Sequence, residues 1–527
     1  MENRKLQVWL PLFIGLALAL GILAGFQLAG SSGRTSSSNK NRSAIQQVLD
    51  LVQYKYVDSV SLDSMEADGI QAMLNHLDPH TVFIPAQELA EANADLEGGF
   101  SGIGVEYQMI NDTMNVVYVV ENGPSAKAGL KTGDRIIKVY DKVIAGNKLK
   151  GSELRKLLRG DYNTKVEVTA LRDGKTQTYT ITRGNVPLPS VEAAYMAEPG
   201  VGYIKLNKFS ETTYKEFMDA ATGLQAKGMK KMILDLRGNT GGILTEATNI
   251  ADELLPDGLS IVSTRGSHVK NKEIQSTKPG IFEKEPLVVL IDEFSASASE
   301  VLAGALQDND RGTIIGRRSF GKGLVQEQYD LANGGAVRIT VARYYTPSGR
   351  SIQKPYNGSR NDYQHEVLER NPAKDDSSLQ KSKEVYTTRA GKKVYGGGGI
   401  TPDITVAFDS SRVPQGSLPL FSGNRIGDFS FRLFQQMKGS LTQYKTPSDF
   451  IKQYQLPANT WDMYTIQLQQ DSVKIPEVSV SVKNDILLII KANMARYQWR
   501  NNAFYETLQP TDKLLQQALQ TLKSISK

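Results

Sequence analysis

LVVLIDEFSASASEVLAGAL, residues 287–306, joins a run of apolar residues to a serine-rich turn and then to a second apolar stretch. Leu287–Ile291 is short and continuous, which is typical of a strand buried on both faces. Residues 299–306 favour a helix, so the turn between them lies at the edge of a predicted sheet. Strands and helices alternate on both sides of this stretch, which predicts an α/β core over residues 186–406.

The serine-rich turn carries candidate nucleophiles. A strand-to-helix turn exposes side chains and aims the first N–H groups of the helix at the same point. The chain contains no cysteine and only four histidines, so a serine assisted by a lysine is the simplest nucleophilic arrangement. Ser295, Ser297 and Ser299 all offer a hydroxyl, and spacing alone cannot choose among them. An ordinary helix cap at Ser299 is the alternative interpretation.

A lysine that suits this role follows within the predicted core. Lys322 lies between Gly321 and Gly323, and it follows Ser297 by 322 − 297 = 25 residues. Burial lowers the pKa of a lysine, which would make its amine neutral and able to act as a base. Gln326 would hold that amine by a hydrogen bond. The alternative is an exposed lysine in a loop, which is the commoner fate of this residue type.

The turn Gly238-Asn239-Thr240-Gly241-Gly242 follows another predicted strand and precedes a helix. Its glycines would let the backbone approach a substrate carbonyl. The N–H of Gly241 or Gly242, together with that of Ala298, would then form an oxyanion hole, and we expect Gly241 to be the glycine that donates. An ordinary turn between a strand and a helix is the alternative.

Residues 98–185 show a different pattern of short strands, turns and two short helices. Gly102-Ile103-Gly104-Val105 opens a strand, and Ala128-Gly129-Leu130 precedes Gly133-Asp134. This order resembles a PDZ domain, whose glycine loop binds a peptide C-terminal carboxylate while the peptide adds to a sheet edge. The resemblance implies that Gly102, Ile103, Gly104 and Val105 form that loop. A small β domain with glycines serving only its turns is the alternative.

The N-terminus predicts export. Arg4 and Lys5 precede the uncharged run Val8–Phe26, which contains 26 − 8 + 1 = 19 residues. This length favours an uncleaved signal anchor over residues 1–30, with a cleaved signal peptide ending near Ala29-Gly30 as the alternative. The remaining segments are a Ser-rich linker over 31–40, a small helical domain over 41–97 and a helical region of unknown role over 407–527.

Composition excludes several classes of protein. A length of 527 residues predicts several domains. The net charge is 62 − 56 = +6, and the positive residues are spread along the chain without a basic block. We therefore do not predict nucleic acid as a partner. Without cysteine, a disulfide scaffold and a cysteine-ligated zinc site are impossible. We predict no metal and no cofactor.

The motifs together resemble the carboxyl-terminal processing peptidases, the tail-specific proteases of serine peptidase family S41. Beyond the serine and lysine motifs, the blocks that match in family order are Leu77-Asp78-Pro79-His80-Thr81, Asp235-Leu236-Arg237-Gly238-Asn239-Thr240-Gly241-Gly242, Tyr345-Thr346-Pro347-Ser348-Gly349-Arg350-Ser351-Ile352-Gln353 and Gly398-Gly399-Ile400-Thr401-Pro402-Asp403. The resemblance covers residues 41–406. Thr240 departs from it, because many members have proline there, and this makes the oxyanion donor less certain. By motif position, the resemblance implies Ser297 as nucleophile, Lys322 as general base and Gln326 as the residue that positions the lysine.

The predicted chain is therefore a multidomain α/β protein: a membrane anchor, a helical domain, a PDZ domain inserted before an S41-type core, and a helical C-terminal region. We expect a serine endopeptidase that binds exposed C-terminal tails of unfolded or envelope proteins. It would be held in the inner membrane by one helix, with the catalytic part in the periplasm. The resemblance also allows a homo-oligomer and an adaptor partner. The alternative is a membrane-tethered PDZ adaptor with an inactive core.

Overall fold

The computed structural model describes residues 9, 11, 14–25, 43–356, 359–370, 384–409 and 416–525. It contains two units, Met1–His76 and Leu77–Lys527, of which the second holds all the predicted chemistry.

The first unit is helical. Residues 14–25 form a helix, followed by α1 (Ala44–Lys55) and α2 (Leu62–Leu74), whose N-termini are capped by the side chains of Ser43 and Ser61. The predicted signal anchor lies partly outside the described residues, and the predicted linker 31–40 lies wholly outside them. Within the part of the chain that is described, no helix has both the length and the hydropathy of a membrane span.

A small antiparallel β-sheet domain begins the second unit. Its elements, with those that lead into and out of it, are β1 (Val82–Ile84), α3 (Ala86–Glu97), β2 (Gly99–Gly102), β3 (Val105–Ile110), β4 (Thr113–Val119), α4 (Pro124–Ala128), β5 (Arg135–Val139), β6 (Lys142–Val143), α5 (Gly151–Leu158), β7 (Lys165–Arg172), β8 (Lys175–Thr182) and β9 (Gly184–Pro187). The sheet has the order β3-β4-β5-β7-β8, so β3 is an edge strand. Strands β2 and β9 pair with each other, which brings the entry and the exit of this domain together.

The α/β core follows. Its elements are β10 (Val191–Glu198), β11 (Val201–Leu206), α6 (Thr213–Ala226), β12 (Lys231–Asp235), α7 (Leu244–Leu254), β13 (Ser260–Arg265), β14 (Lys272–Gln275), β15 (Leu287–Ile291), α8 (Ala298–Asp308), β16 (Thr313–Gly316), β17 (Leu324–Asp330), β18 (Ala336–Tyr345), α9 (Arg360–Glu369), β19 (Val385–Thr387), β20 (Lys393–Tyr395) and β21 (Ile404–Thr405). The main sheet has the order β10-β11-β12-β15-β16-β21, and all its pairs from β11 to β21 are parallel. Because β12 and β15 are parallel neighbours, the turns that follow them meet at one edge of the sheet.

The last part of the chain is helical, with α10 (Leu418–Phe421), α11 (Arg425–Leu441), α12 (Pro447–Gln453), α13 (Thr460–Gln470), α14 (Val480–Leu508), a 3₁₀ turn (Gln509–Thr511) and α15 (Lys513–Ser524). Its aromatic-rich cluster includes Ile110 and Val117 of the β-sheet domain. Arg500 lies at a kink of α14, where its guanidinium stacks 3.5 Å from the ring of Tyr118 and contacts the carboxylate of Glu106. The C-terminal helices and the β-sheet domain therefore pack together directly.

The main sheet is covered on both faces, as a buried parallel sheet requires. Successive residues of a strand point to opposite faces, so Leu234, Val289 and Ile291 pack with α6, α7 and α8. Ile233, Val288 and Leu290 point the other way and pack with α15. The residues of α15 that cover this face are Leu514, Leu515, Ala518, Leu519 and Leu522. The final helix is thus a layer of the α/β core.

Candidate active site

Ser297 lies at the junction between the β15 turn and helix α8, with an unusual backbone conformation of φ 53° and ψ −114°. Its N–H donates to Glu300 Oε2 at 2.8 Å. A Cβ on Gly241 would lie 2.7 Å from the Ala296 carbonyl oxygen and 2.8 Å from Ser297 Cβ. Because real contacts are not that short, the close approach of the two turns requires glycine at position 241.

The structure distinguishes the three hydroxyls that the sequence left open. Ser295 is buried and its Oγ donates to the Leu236 carbonyl at 2.9 Å, while the buried Ser299 Oγ donates to the Asn239 carbonyl at 2.9 Å. Both therefore tie the β15 turn to the β12 turn. Ser297 instead lines a cavity of about 490 Å³. The alternative of a helix cap at Ser299 is wrong, because α8 begins at Ala298 and Ser299 lies inside it.

Lys322 lines the same cavity from the loop between β16 and β17. Its Nζ donates to Gln326 Oε1 at 2.8 Å, and Gln326 Nε2 donates to the His80 carbonyl at 2.5 Å. This second bond orients the Gln326 amide so that its oxygen faces the lysine. Burial lowers the pKa of Lys322 below its usual value. Among the described residues, no hydrogen bond joins Lys322 Nζ to Ser297 Oγ, although both residues line the same cavity.

His80 reaches this site because β1 and β17 both pair with β18. The Asp78 carboxylate holds the turn formed by residues 78–81, where it accepts hydrogen bonds from His80 N at 2.9 Å and from Thr81 Oγ1 at 2.6 Å. Burial, and then the nearby positive charge of Lys322, lower the pKa of His80 to about 3. The imidazole is therefore neutral at physiological pH, and the backbone carbonyl of His80 is what contacts the site.

Glu300 connects the nucleophile turn to the lysine loop. Its Oε2 accepts from the N–H of Ser297 and from that of Lys322, both at 2.8 Å. Its Oε1 accepts from Gly321 N at 2.7 Å and from Ser319 Oγ at 2.5 Å. Burial raises the pKa of Glu300, while these four hydrogen bonds oppose that change. One buried carboxyl group thus fixes the backbone of both candidate catalytic residues.

Tyr344 also contacts the backbone of both Ser297 and Lys322. Its fully buried hydroxyl lies 3.1 Å from the Ser297 carbonyl oxygen and also contacts that of Lys322. Burial holds the pKa of Tyr344 well above its usual value, so the hydroxyl stays a donor. Sequence analysis missed this residue, and no local pattern marks it. Glu300 did carry a signal, because Ser297-Ala298-Ser299-Glu300 matches the capping-box pattern.

The predicted oxyanion donors lie where the two turns meet. Gly242 and Ala298 line the cavity, and neither N–H has an acceptor among the described residues. The N–H of Gly241, in contrast, donates to Asn239 Oδ1 at 2.9 Å. In this conformation, Gly242 is therefore the more available of the two glycines.

The cavity that Ser297 and Lys322 line is partly apolar. Leu96, Ile243, Leu244, Val301 and Leu324 give it an apolar wall. Among the described residues, no group of three or more His, Cys, Asp or Glu side chains is arranged to hold a metal ion.

The loop 102–105 of the β-sheet domain lies at the start of edge strand β3. Gly104 has φ +72°, in the left-handed region that favours glycine. The N–H groups of Ile103 and Gly104 have no acceptor among the described residues, while the Ile103 side chain is buried in the core of the domain. These two backbone N–H groups are therefore available to bind a carboxylate, while the β3 side chains Glu106 and Gln108 contact the C-terminal helices.

Comparison with known proteins gives the family. The model described as peptidase family S41 matches residues 200–365, and the PDZ domain model matches residues 101–182. The carboxy-terminal-processing protease of Bartonella bacilliformis is 38% identical over 313 residues, which are 58% of this chain and 71% of that protein. The chain belongs to peptidase family S41. This S41 chain also matches, over residues 419–501, a model described as a family of unknown function.

Two further proteins are similar to this chain. A probable CtpA-like serine protease of Staphylococcus aureus is 32% identical over 324 residues, covering 61% of this chain and 64% of that protein, just under two thirds of its length. A solved photosystem II D1 C-terminal processing protease is 28% identical, covers 69% of this chain and 87% of that one, and has a TM-score of 0.36. The prediction of a PDZ domain, an S41 α/β core and a helical C-terminal region is confirmed, as is that of a serine-type endopeptidase.

Proposed function

We propose that this S41 peptidase uses a serine–lysine dyad, with Ser297 as nucleophile, Lys322 as general base and Gln326 positioning the lysine. The observation that carries the proposal is the shared carboxylate oxygen of Glu300, which accepts the N–H of both Ser297 and Lys322. That bridge brings the two residues to one cavity. Burial of Lys322 favours the neutral amine that a base must be.

The reaction follows from these positions. Ser297 Oγ attacks the carbonyl carbon of a peptide bond, and its proton passes to Lys322 Nζ. The N–H groups of Ala298 and Gly242 stabilise the oxyanion, and Gly241 would serve only after leaving Asn239. The amine product leaves with the proton from Lys322. Lys322 Nζ then accepts a proton from a water molecule as that water attacks the acyl carbon, and passes it to Ser297 Oγ as the ester bond breaks, which frees the acid product and restores the neutral amine.

The PDZ domain would supply the substrate. We expect a C-terminal carboxylate to bind the free N–H groups near Gly104, and the tail to extend along β3 as an added strand. The apolar wall of the cavity favours an apolar side chain next to the cleaved bond. An unfolded protein with an apolar tail satisfies both requirements.

The location remains part of the proposal. Arg4 and Lys5 before the uncharged run Val8–Phe26 favour an anchor in the inner membrane with the peptidase in the periplasm. Membrane fractionation of cells that express the full chain would test it. We expect to recover the peptidase in the washed membrane fraction. We also expect protease added to spheroplasts to digest it from outside the inner membrane.

The deciding experiment is cleavage of an unfolded protein with an apolar C-terminus by the full chain. Ser297→Ala and Lys322→Ala should each lower kcat by at least about 10³-fold. Ser440→Ala, an exposed serine of α11, is the matched control and should cleave like the parent. Full activity of Ser297→Ala would refute the proposed nucleophile, and a parent without activity would favour the adaptor interpretation.

The tail requirement has its own test. A tail peptide with a free carboxylate should bind the full chain, measured by fluorescence anisotropy, and the same peptide with an amidated end should not. Equal binding of the two peptides would contradict the role given to loop 102–105.

A further inference from the structure

Arg237 lies between two carboxylates that come from distant parts of the chain. On one side its Nε and Nη2 donate to Asp235, the fully buried last residue of β12. On the other side its Nη1 donates to Asp512 Oδ1 at 3.0 Å and its Nη2 to Asp512 Oδ2 at 2.7 Å. A paired contact of this kind fixes the plane of the guanidinium as well as its position.

Arg237 begins the turn that carries the oxyanion donors. Its own carbonyl accepts from Lys205 Nζ at 2.8 Å, and the next N–H, that of Gly238, donates to Asp292 Oδ1 at 3.0 Å. Two residues on, the Asn239 carbonyl accepts from Ala296 N at 3.0 Å. Gly242 then lines the catalytic cavity. Any rotation of Arg237 would therefore move a turn that is hydrogen-bonded to the nucleophile turn.

Asp512 is itself held firmly. It is the N-cap of α15, where its Oδ1 also accepts from Leu515 N at 3.1 Å. Helix α15 is fixed in turn by the burial of its apolar face on the main sheet. The side chains of Arg237 and Asp512 are only 18% and 23% exposed, so water screens their pairing weakly. The carboxylate therefore acts as a fixed point rather than as a mobile surface charge.

The other charges near Arg237 do not replace Asp512. Lys205 lies 3.8 Å from Asp235 and competes with Arg237 for that carboxylate. Arg317 is paired with Glu293 at 2.7 Å. Asp292 also lies near Arg237, but its Oδ1 accepts from the N–H groups of Gly238 and Ser295. With Asp512 neutralised, Arg237 and Lys205 would therefore share the carboxylate of Asp235, and the guanidinium would lose one of its two supports.

We propose that Asp512, in the C-terminal helical region, is a positioning residue for peptide cleavage, acting through Arg237 on the turn that carries the Gly242 N–H. The inference rests on the proposed function, in which that turn stabilises the oxyanion. It gives residues 509–525 a role in catalysis that neither the S41 motifs nor the PDZ resemblance assigns. Asp512 does not touch the substrate, so its effect is expected in the chemical step and not in substrate binding.

The test separates the ion pair from the helix cap. Asp512→Asn retains the cap, because asparagine caps as well as aspartate, but it removes the charge that holds Arg237. We expect Asp512→Asn to lower kcat about 10–100-fold with KM changed by less than about 2-fold. Asp512→Glu, which restores the charge, should recover part of that loss. The full chain is used throughout, with a fluorogenic peptide and with a fluorophosphonate that reports the reactivity of Ser297.

Lys523→Gln is the matched control. Lys523 anchors the other end of the same helix through an ion pair with Glu198 at 2.9 Å, far along α15 from Asp512. Hydrogen exchange at the amides of residues 238–242 should speed up in Asp512→Asn and stay unchanged in Lys523→Gln. Thermal unfolding of each variant shows whether the assay temperature lies below its transition.

The outcomes divide clearly. Normal kcat in Asp512→Asn, an equal loss in Lys523→Gln, or failure of Asp512→Asn to fold would each overturn the positioning role. A selective loss of kcat with faster exchange at residues 238–242 would support it. Failure of the proposed function is recognised separately, because Ser297→Ala would then cleave like the parent.

Discussion

Replacing Glu300 by glutamine should uncouple the nucleophile turn from the lysine loop. The carboxylate accepts four hydrogen bonds, two at each oxygen. Glutamine is nearly the same size but offers only one acceptor oxygen, and its NH₂ group cannot accept a hydrogen bond. The effect therefore depends on which way the amide turns.

The two orientations differ in cost. With the NH₂ toward Ser297 and Lys322, two buried N–H groups lose their acceptor. With the NH₂ toward Gly321 and Ser319, the Gly321 N–H and the Ser319 hydroxyl proton lose their acceptor. The Ser319 oxygen, which already accepts from Ile400 N, can also accept from the NH₂, so the hydroxyl keeps a hydrogen bond while the Gly321 N–H does not. The second orientation is therefore favoured and leaves one unsatisfied N–H, which costs about 1–3 kcal/mol.

The remaining bonds weaken as well. Loss of the charge removes about 0.5–1 kcal/mol from each of the two bonds to Ser297 and Lys322. Glu300→Gln should therefore lower the free energy of unfolding by about 2–5 kcal/mol. Ser297 holds a backbone conformation that costs about 1–3 kcal/mol, so a weaker bond to its N–H lets the turn relax. We expect kcat to fall about 10–100-fold.

The chain offers a matched control in Glu216. This carboxylate also holds two backbone N–H groups, those of Ser190 and Val191, and the hydroxyl of Thr212, but it lies outside the cavity lining. Glu216→Gln should destabilise the fold by a similar mechanism and keep kcat near the parent value. Peptide cleavage and denaturant unfolding of both variants give the comparison. Equal kcat at similar losses of unfolding free energy would refute the coupling role of Glu300.

Three further predictions concern the base, its support and the final helix. Burial lowers the pKa of Lys322, and only the neutral amine can act as a base. The value of kcat/KM should therefore rise with pH and reach a plateau at a pH below the ordinary pKa of lysine. A kcat/KM that stays constant from neutral to alkaline pH would contradict this prediction. Gln326→Ala removes one hydrogen bond to that amine and should lower kcat about 10-fold with a shifted pH profile, whereas an unchanged profile would exclude positioning by Gln326. Leu519→Ala should lower the free energy of unfolding by about 2–5 kcal/mol in a denaturant titration, and a loss below about 1 kcal/mol would mean that α15 is not a core layer.

Local patterns were sufficient to predict the parts of the site that are close in sequence. The apolar run Leu287–Ile291 and the glycines at 241 and 242 mark two turns, and their meeting follows from parallel strand order. The strands of the β-sheet domain were predictable for the same reason, since each pairs mainly with a near neighbour in the chain.

Local sequence patterns did not predict the distant contacts that hold the site residues in place. Gln326 contacts a carbonyl 246 residues away, and Arg237 contacts a carboxylate 275 residues away. No periodicity encodes which distant carbonyl or carboxylate a side chain reaches. Likewise, the spacing of Leu515, Ala518, Leu519 and Leu522 predicts a helix with one apolar face, but it does not say that this face covers the main sheet.

The position of α15 has a consequence for the order in which the fold is completed. It starts 513 − 405 = 108 residues after β21, the last strand of the sheet that it covers. At about 5–20 residues per second, a ribosome needs about 5–20 s to make that stretch. Until then one face of the sheet is bare and Arg237 lacks its second carboxylate. The main sheet of the α/β core is therefore covered on both faces, and Arg237 paired with both carboxylates, only after α15 has been synthesised.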